Sequence, residues 1–454
     1  MPTPRWTPPS PDPGLEREVA VAPPPGRIAA RLPALASPVY RRFLAGAFVG
    51  TLGSWMQTTA QGWLVLDLTN SPALLGVTSA ASTAPMLFLS LFAGVLADRV
   101  DRRRLLVATQ LAGGLLAAAL AALVATGVVE FWHVVVIGTL AGAASALGLP
   151  AFQAIVSTLV DRDAIGNAVA LNSAQFNLGR IVGPTAAGAA IAAGGLALAF
   201  WSNAVSFLVV AFVLATLRIA PQPTLVRVEA SLWSNLVDGI DHIRRERIVG
   251  VLVLLAAVPA LFVLNYLVLM PVYARDVLGV GAAGLGLLTA GVGVGALTGA
   301  LLVAILRPAG GNGRLLLVGL TLCSLALVVF AVSRWLPLSL AALAVLGAAQ
   351  VAYYATTNTL IQVLVPARLR GRVMSLYVLT SLGVIPFGNL FAGIVAQRFG
   401  PTIALAGGGV ATLAVLGWVV VTFPELRAVR AEGVPAEASP TRRAAAVAPD
   451  SPEG

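Results

Sequence analysis

The amino-acid sequence predicts an all-α polytopic membrane protein of twelve membrane-spanning helices in two similar six-helix bundles. Of 454 residues, 58% are apolar and only 11% charged, and the mean hydropathy is +0.90, leaving too little polar surface for a water-soluble fold. Charge-free stretches recur along the chain, each about long enough, at roughly 20 residues, to cross a bilayer as a helix. The second half of the chain repeats features of the first at a fixed offset. A β-barrel is excluded, because its strands alternate over about ten residues and do not run apolar for this long.

Taken in order, the uncharged stretches are 43–66, 68–97, 105–129, 131–160, 248–274, 277–306, 315–333, 335–367, 373–397 and 399–424. The stretch 164–217 is interrupted only by Arg180 and holds Gly194-Gly195, which predicts two spans joined by a tight turn. Residues 1–40 are rich in Pro and Arg and lack an apolar run, so they read as a disordered cytoplasmic tail and not a cleaved signal. Residues 425–454 read as a second disordered tail. The bundles then occupy 41–217 and 248–424, with 218–247 as a cytoplasmic linker. Within the linker, Leu232, Leu236, Ile240 and Ile243 stand opposite Asp238, Asp241 and Arg244, a pattern that suits a helix on the membrane surface. A plain connection between the two halves explains it equally well.

All 29 basic residues are Arg. With the N-terminus inside, 25 of them fall on inner segments, Arg180 lies within a span, and only Arg275, Arg334 and Arg398 are outside. This asymmetry predicts that both termini are cytoplasmic, and the membrane is expected to be a bacterial inner membrane. It also accounts for the net charge of +10 without a nucleic-acid partner. Cys323 is the single cysteine and excludes an intramolecular disulfide. His133 and His242 are too far apart to suggest a metal site, and no cofactor is expected. There is no Walker motif, so the chain is not expected to hydrolyse ATP. A membrane enzyme would need clustered His, Asp or Glu near one face, where only Glu130 and His133 come close; no enzyme is expected.

At an offset of 205, Gly94 aligns with Gly299, Gly142 with Gly347, Gly166 with Gly371, Gly183 with Gly388 and Gly188 with Gly393. Arg104-Leu105-Leu106 aligns with Arg314-Leu315-Leu316 at 210. These matches predict two parallel repeats about a pseudo-two-fold axis along the membrane normal.

Between the second and third spans runs Gly94-Val-Leu-Ala-Asp98-Arg99-Val-Asp101-Arg102-Arg103-Arg104. It resembles the inner-loop motif of the major facilitator superfamily, with Asp101 where the common pattern has Gly. Gly53-Ser-Trp55-Met-Gln57, Gly62-Trp63-Leu and Leu68-Thr-Asn-Ser71-Pro72 resemble the branch that contains the enterobactin exporter and macrolide-efflux-type proteins. Gly179-Arg180-Ile-Val-Gly183-Pro184-Thr-Ala-Ala-Gly188 resembles the fifth-helix motif of efflux-type facilitators. The resemblance covers roughly residues 36–424. It implies the major facilitator fold and a gate in which Asp98 and Arg99 bond helix ends across the halves. It further implies a secondary transporter that exports an amphiphilic small molecule, a siderophore or drug-like compound, by alternating access with a proton as coupling ion. A nutrient importer would share the fold, and a non-transport membrane protein is the remaining alternative. A monomer is expected.

Arg180 lies fourteen residues beyond Gly166, roughly 21 Å along a helix, too deep to snorkel. Placing it there costs on the order of 2.5–3.5 kcal/mol on insertion scales, so it must face protein or water. No carboxylate lies in an uncharged run to neutralise it. It reads either as a strut to carbonyls and hydroxyls or as a cavity residue that attracts anionic or phenolic groups.

Polar side chains concentrate in a few spans. The first carries Thr51, Ser54, Thr58 and Gln61 on one face with Gln57 beside it, and the tenth carries Gln350, Tyr354, Asn358 and Gln362 with Tyr353 adjacent. Asn172 and Gln175, Asn265 and Tyr266, and Tyr377 and Ser381 complete the candidate substrate cavity. For each residue alone, helix-to-helix bonding is the competing explanation. The candidate proton sites are Asp67 and Glu130 with His133, all near span ends, where ordinary boundary residues also occur.

Overall fold

The computed structural model describes residues 32–217, 232–306 and 313–429. The expectations for residues 1–31, 218–231 and 430–454 fall outside the described residues. Among the described residues there is no strand.

The first four spans are α1 (Pro38–Thr69), α2 (Pro72–Arg99), α3 (Arg102–Ala125) and α4 (Phe131–Val156). Their starts follow from local chemistry: Ser37, Ser71 and Asp101 each accept a hydrogen bond from a first-turn backbone N–H, and Pro stands at the start of α1 and α2. The run Ile165–Thr216 breaks at Gly194 and Gly195 into α5 (165–193) and α6 (196–216). Gly195 has φ +73°, which a β-carbon would disfavour. The linker contributes α7 (Leu232–Arg245). The seventh span comprises α8 (Arg247–Phe262), α9 (Tyr266–Val272) and a π-helical turn, Tyr273–Val277. Then come α10 (Gly281–Leu306), α11 (Gly313–Val332) and α12 (Leu336–Leu364). The eleventh span is α13 (Ala367–Leu382) plus α14 (Ile385–Phe399), and α15 (Pro401–Thr422) is the twelfth.

Among the described residues ten stretches are long and apolar enough to cross a membrane. One of them, Arg162–Thr216, folds as two arms, and α1 adds a twelfth span whose polar stripe lowers its hydropathy. The bundle exterior is apolar: Phe88, Leu115, Phe212 and Val421 are more than 60% exposed, the inverse of a soluble surface.

Helical structure reaches past the expected bundle bounds of 41 and 424 at both ends. Residues 33–36 form a 3-10 turn and α1 starts at Pro38, because Tyr40 is buried and its hydroxyl donates to the Ala168 carbonyl at 2.7 Å. At the other end Pro424–Ala428 is a 3-10 turn with Leu426 buried, and the Gly313 N–H donates to the Val429 carbonyl at 2.9 Å.

Two seams join the bundles, α2 against α14 and α5 against α10, and they are copies of one another. A β-carbon on Gly76 would lie 2.6 Å from the Asn389 carbonyl oxygen; one on Gly286 would lie 2.5 Å from that of Pro184. Gly393 and Gly188 complete the respective contacts. The offset is 210 from Gly76 to Gly286 and 205 from Pro184 to Asn389, so the repeat has two offsets, one for its early spans and one for its later ones. Gly142 against Ser82 and Gly347 against Val292 obey the same pair of offsets. Gly94 and Gly299, matched at 205 but lying in early spans, are a coincidence of numbering.

Candidate functional site

A cavity of about 540 Å³ lies between the bundles. Its first-bundle wall carries most of the polar groups, Ser54, Thr58 and Gln61 on α1, Thr78 and Ser82 on α2, and Asn203 on α6, beside Trp55, Leu75, Phe176 and Phe207. Its second-bundle wall is largely apolar, formed by Leu264, Leu267, Val268, Pro271, Leu285 and Ile385, with Thr289 and Asn389 as polar points. Among the described residues no Asp, Glu, Arg or His lines it.

The polar wall is held by its own bonds. The Ser54, Thr58, Thr78 and Ser82 hydroxyls donate to carbonyls one turn back at 2.8–2.9 Å, which leaves their oxygen lone pairs as acceptors. The Asn203 amide donates to the Gln57 side-chain oxygen, tying α6 to α1. Gln61 donates to the Ser82 hydroxyl at 3.5 Å, and both fit because Gly138 lacks a side chain that would fill the same space.

Arg180 stands beside this chamber at the seam. Its Nη2 donates to the Tyr266 hydroxyl and the Gln350 side-chain oxygen, each at 3.4 Å. Its guanidinium carbon lies 5.9 Å from the ring centre of Trp55, a chamber residue that also meets Phe176 edge-on. Its Nε is buried without a hydrogen-bond partner. Around it the fifth-helix motif serves close packing. Gly179 and Gly183 meet α1 at Thr51 and Trp55, Pro184 opposes Gly286, and Gly188 meets Ala282 and Ala283.

The remaining candidates part company. Ser54, Gln57, Thr58 and Gln61 line the chamber. Asn265 is buried and donates to the Leu261 and Gly388 carbonyls at 3.1 and 3.2 Å, so it braces the interrupted seventh span against α14. Gln175 donates to Asn172 at 3.2 Å within α5, and Gln362 to Asn358 within α12. Tyr353 and Tyr354 pack ring to ring at 4.5 Å, and Tyr353 and Tyr377 belong to a buried cluster of the second bundle. Ser381 bonds the Tyr377 carbonyl at 2.6 Å.

The candidate proton residues sit at helix ends. The Glu130 N–H donates to His133 Nδ1 at 3.0 Å, and the Trp132 indole donates to Glu130 Oε2 at 2.7 Å. This is a helix start held by its own residues. Asp67 is exposed at the end of α1.

In the inner-loop motif, Gly94, Asp98 and Arg99 belong to α2 by backbone, but their side-chain surroundings fall outside the described residues. Asp101 accepts from the Arg104 N–H at 2.7 Å and caps α3. Arg103 donates to the Leu214 carbonyl at 3.0 Å and to that of Ala215, a cation at the C-terminal end of α6. Arg102 is also engaged.

Sequence reasoning missed Asn203, Ser82, Asn389 and Arg275. Asn203 is the lone amide of α6, and Thr78 and Ser82 form a stripe at steps of four in α2, so both signals were present. Asn389 donates to Ser79 at 2.9 Å across the seam. Arg275 reaches the Leu66 carbonyl at 3.1 Å and the Asn70 side chain. With Ser71 bonded to Gln397 at 2.8 Å, these contacts close the chamber toward the face opposite the linker.

Two symmetry-related helical bundles enclosing an uncharged, two-faced chamber, closed at one end by bonds between them, define a carrier that works between two faces of a membrane. The chain belongs to the transmembrane secretion effector family of the major facilitator superfamily, whose model matches residues 29–451, and it is a transporter of the export type. It is 27% identical over 392 residues to the multidrug efflux pump Tap of Mycolicibacterium fortuitum, covering 85% of this chain and 95% of that protein. It is 26% identical over 395 residues to the enterobactin exporter EntS of Shigella boydii, covering 87% and 94%. A staphyloferrin A transporter of Staphylococcus aureus is 29% identical over 203 residues; these cover 44% of this chain and only 51% of that protein, about half its length. Among solved structures the fold is similar to that of the nucleoside transporter NupG, with TM-score 0.69 at 10% identity and coverage of 85% and 99%. It is also similar to a D-xylose-proton symporter, with TM-score 0.67 at 16% identity and coverage of 87% and 99%.

Proposed function

We propose that this chain exports an amphiphilic small molecule, a siderophore or drug-like compound, across a bacterial inner membrane by rocking of its two bundles. The linker face and both termini are assigned to the cytoplasm on the Arg distribution, and the functional unit is a monomer. The observation that carries the reading is the chamber, with hydroxyls and amides on one wall and aliphatic side chains on the other. A solute with one polar and one apolar face satisfies both walls at once. The names of the relatives, a multidrug efflux pump and a siderophore exporter, support the same class.

A proton is assigned as coupling ion on the superfamily resemblance alone, since the chamber wall supplies no carboxylate. Asp98 and Arg99 are assigned to the lock of the linker face, where Asp101 and Arg103 already cap neighbouring helices. An Asp98→Asn variant should insert normally and lose flux; normal flux would count against that lock. Counterflow in proteoliposomes with siderophores, macrolides and dyes, with and without a pH gradient, tests the whole reading. Flux of one class is expected, and its dependence on the gradient decides the coupling. Absence of flux for every class would overturn the assignment.

A further inference from the structure

We infer that Arg180 is an oxyanion receptor, binding a carboxylate or phenolate of the transported amphiphile while the rest of the molecule occupies the adjoining chamber. This rests on the transport reading above.

A guanidinium at mid-membrane depth ordinarily pairs with an opposite charge or with backbone carbonyls, or faces a water-filled cavity. Among the described residues no carboxylate pairs with Arg180. Its two bonds, both to neutral groups and both 3.4 Å long, exceed the 2.7–2.9 Å usual for a charge-assisted bond. Its Nε is buried without a partner. A neutral amide would serve as a strut without a buried charge, so a purely structural role leaves the charge itself unexplained. The opposite charge that would complete this site is one the described residues do not supply. Roughly 21 Å of helix separate Arg180 from the start of α5 at ~1.5 Å per residue, which places it beyond the reach of a lipid headgroup.

Arg180 is also one side chain removed from the space a solute would occupy. Trp55 lies within cation–π distance of the guanidinium and lines the chamber, so a solute in the two-faced space that displaces Trp55 brings its anionic end to Arg180. Arg180 belongs to the first bundle, whereas Tyr266 and Gln350 belong to the second. An oxyanion that draws Arg180 away from them exchanges two long bonds across the seam for a strong one to the solute, which couples binding to movement of the bundles.

Binding of a matched fluorescent pair to the full-length detergent-solubilised protein tests this: 7-diethylaminocoumarin-3-carboxylate and its 3-carboxamide, measured by anisotropy. The wild type should favour the carboxylate by about tenfold to a hundredfold, the range of a hydrogen bond to a charged group. Arg180→Gln should bring the ratio of the two Kd values close to one, and Arg180→Lys should keep part of the preference. The same ratio in Arg180→Gln as in the wild type overturns the receptor. So does a wild-type ratio near one, a result that needs no variant to fold and leaves the transport reading standing. A wild type that binds neither probe overturns both.

Discussion

Arg275 of the second bundle caps the end of α1 in the first, donating to the Leu66 carbonyl at 3.1 Å and to the side chain of Asn70. Asn70 terminates α1 in the left-handed conformation, φ +50°, and so exposes the last carbonyls of the helix to a cation. Asp276 holds the guanidinium from the other side at 2.7 Å. This is a latch between the bundles on the face opposite the linker.

Removing it should open that face. In an Arg275→Gln background, a cysteine introduced at Thr58 in the chamber should react about three- to tenfold faster with an impermeant maleimide added from the face opposite the linker. The range follows from about 1.5–3 kcal/mol for a charged hydrogen bond, reduced at a partly exposed site. Cys323 is buried, which keeps the background low. An unchanged labelling rate would remove the latch.

The two seams should respond alike to a single methyl group. Gly76→Ala and Gly286→Ala each press a β-carbon against a backbone carbonyl, and overpacking of this kind costs about 1–3 kcal/mol. Both variants should show a lower Tm by intrinsic fluorescence and slower counterflow. Gly166→Ala and Gly371→Ala, with nothing within 4 Å, should show neither effect. A selective response of one seam would contradict their equivalence.

Gln57 and Asn203 should be coupled in stability. Gln57→Leu leaves the buried Asn203 amide without its partner and should cost about 1–3 kcal/mol, whereas replacing both by Leu should recover part of that loss. A double-mutant cycle read by thermal unfolding gives the coupling directly, and strictly additive losses would show that the bond does not matter.

Glu130 and His133 should behave as a helix cap. Ala at either position should lower stability by about 1 kcal/mol and leave the ratio of flux with and without a pH gradient unchanged. Loss of the gradient dependence would instead make them part of the proton path.

How far the sequence could be read depended on which force set each feature. The span at 164–217 was legible as two helices because Gly194-Gly195 is a local break and the flanking runs are apolar. The start of α1 was not, since Tyr40 is ordered by a carbonyl 128 positions away. Among site residues, the stripe of Ser54, Thr58 and Gln61 was visible as a periodicity, and these side chains do line the chamber. Asn265 carries the same kind of amide yet turns to the Gly388 carbonyl. Nothing in its own segment distinguishes a brace from a wall residue.

By itself the sequence determined the number of spans, their separation into two related halves and the place of Arg180 within a span, because the cost of placing polar groups in hydrocarbon acts on each segment separately. Only the tertiary structure decided which amides face the chamber, which glycines form the seams, and that Arg275 reaches Asn70 while Arg180 meets no acid. Those outcomes depend on contacts between different helices, most of them far apart in the chain, set by how closely two helix backbones can approach.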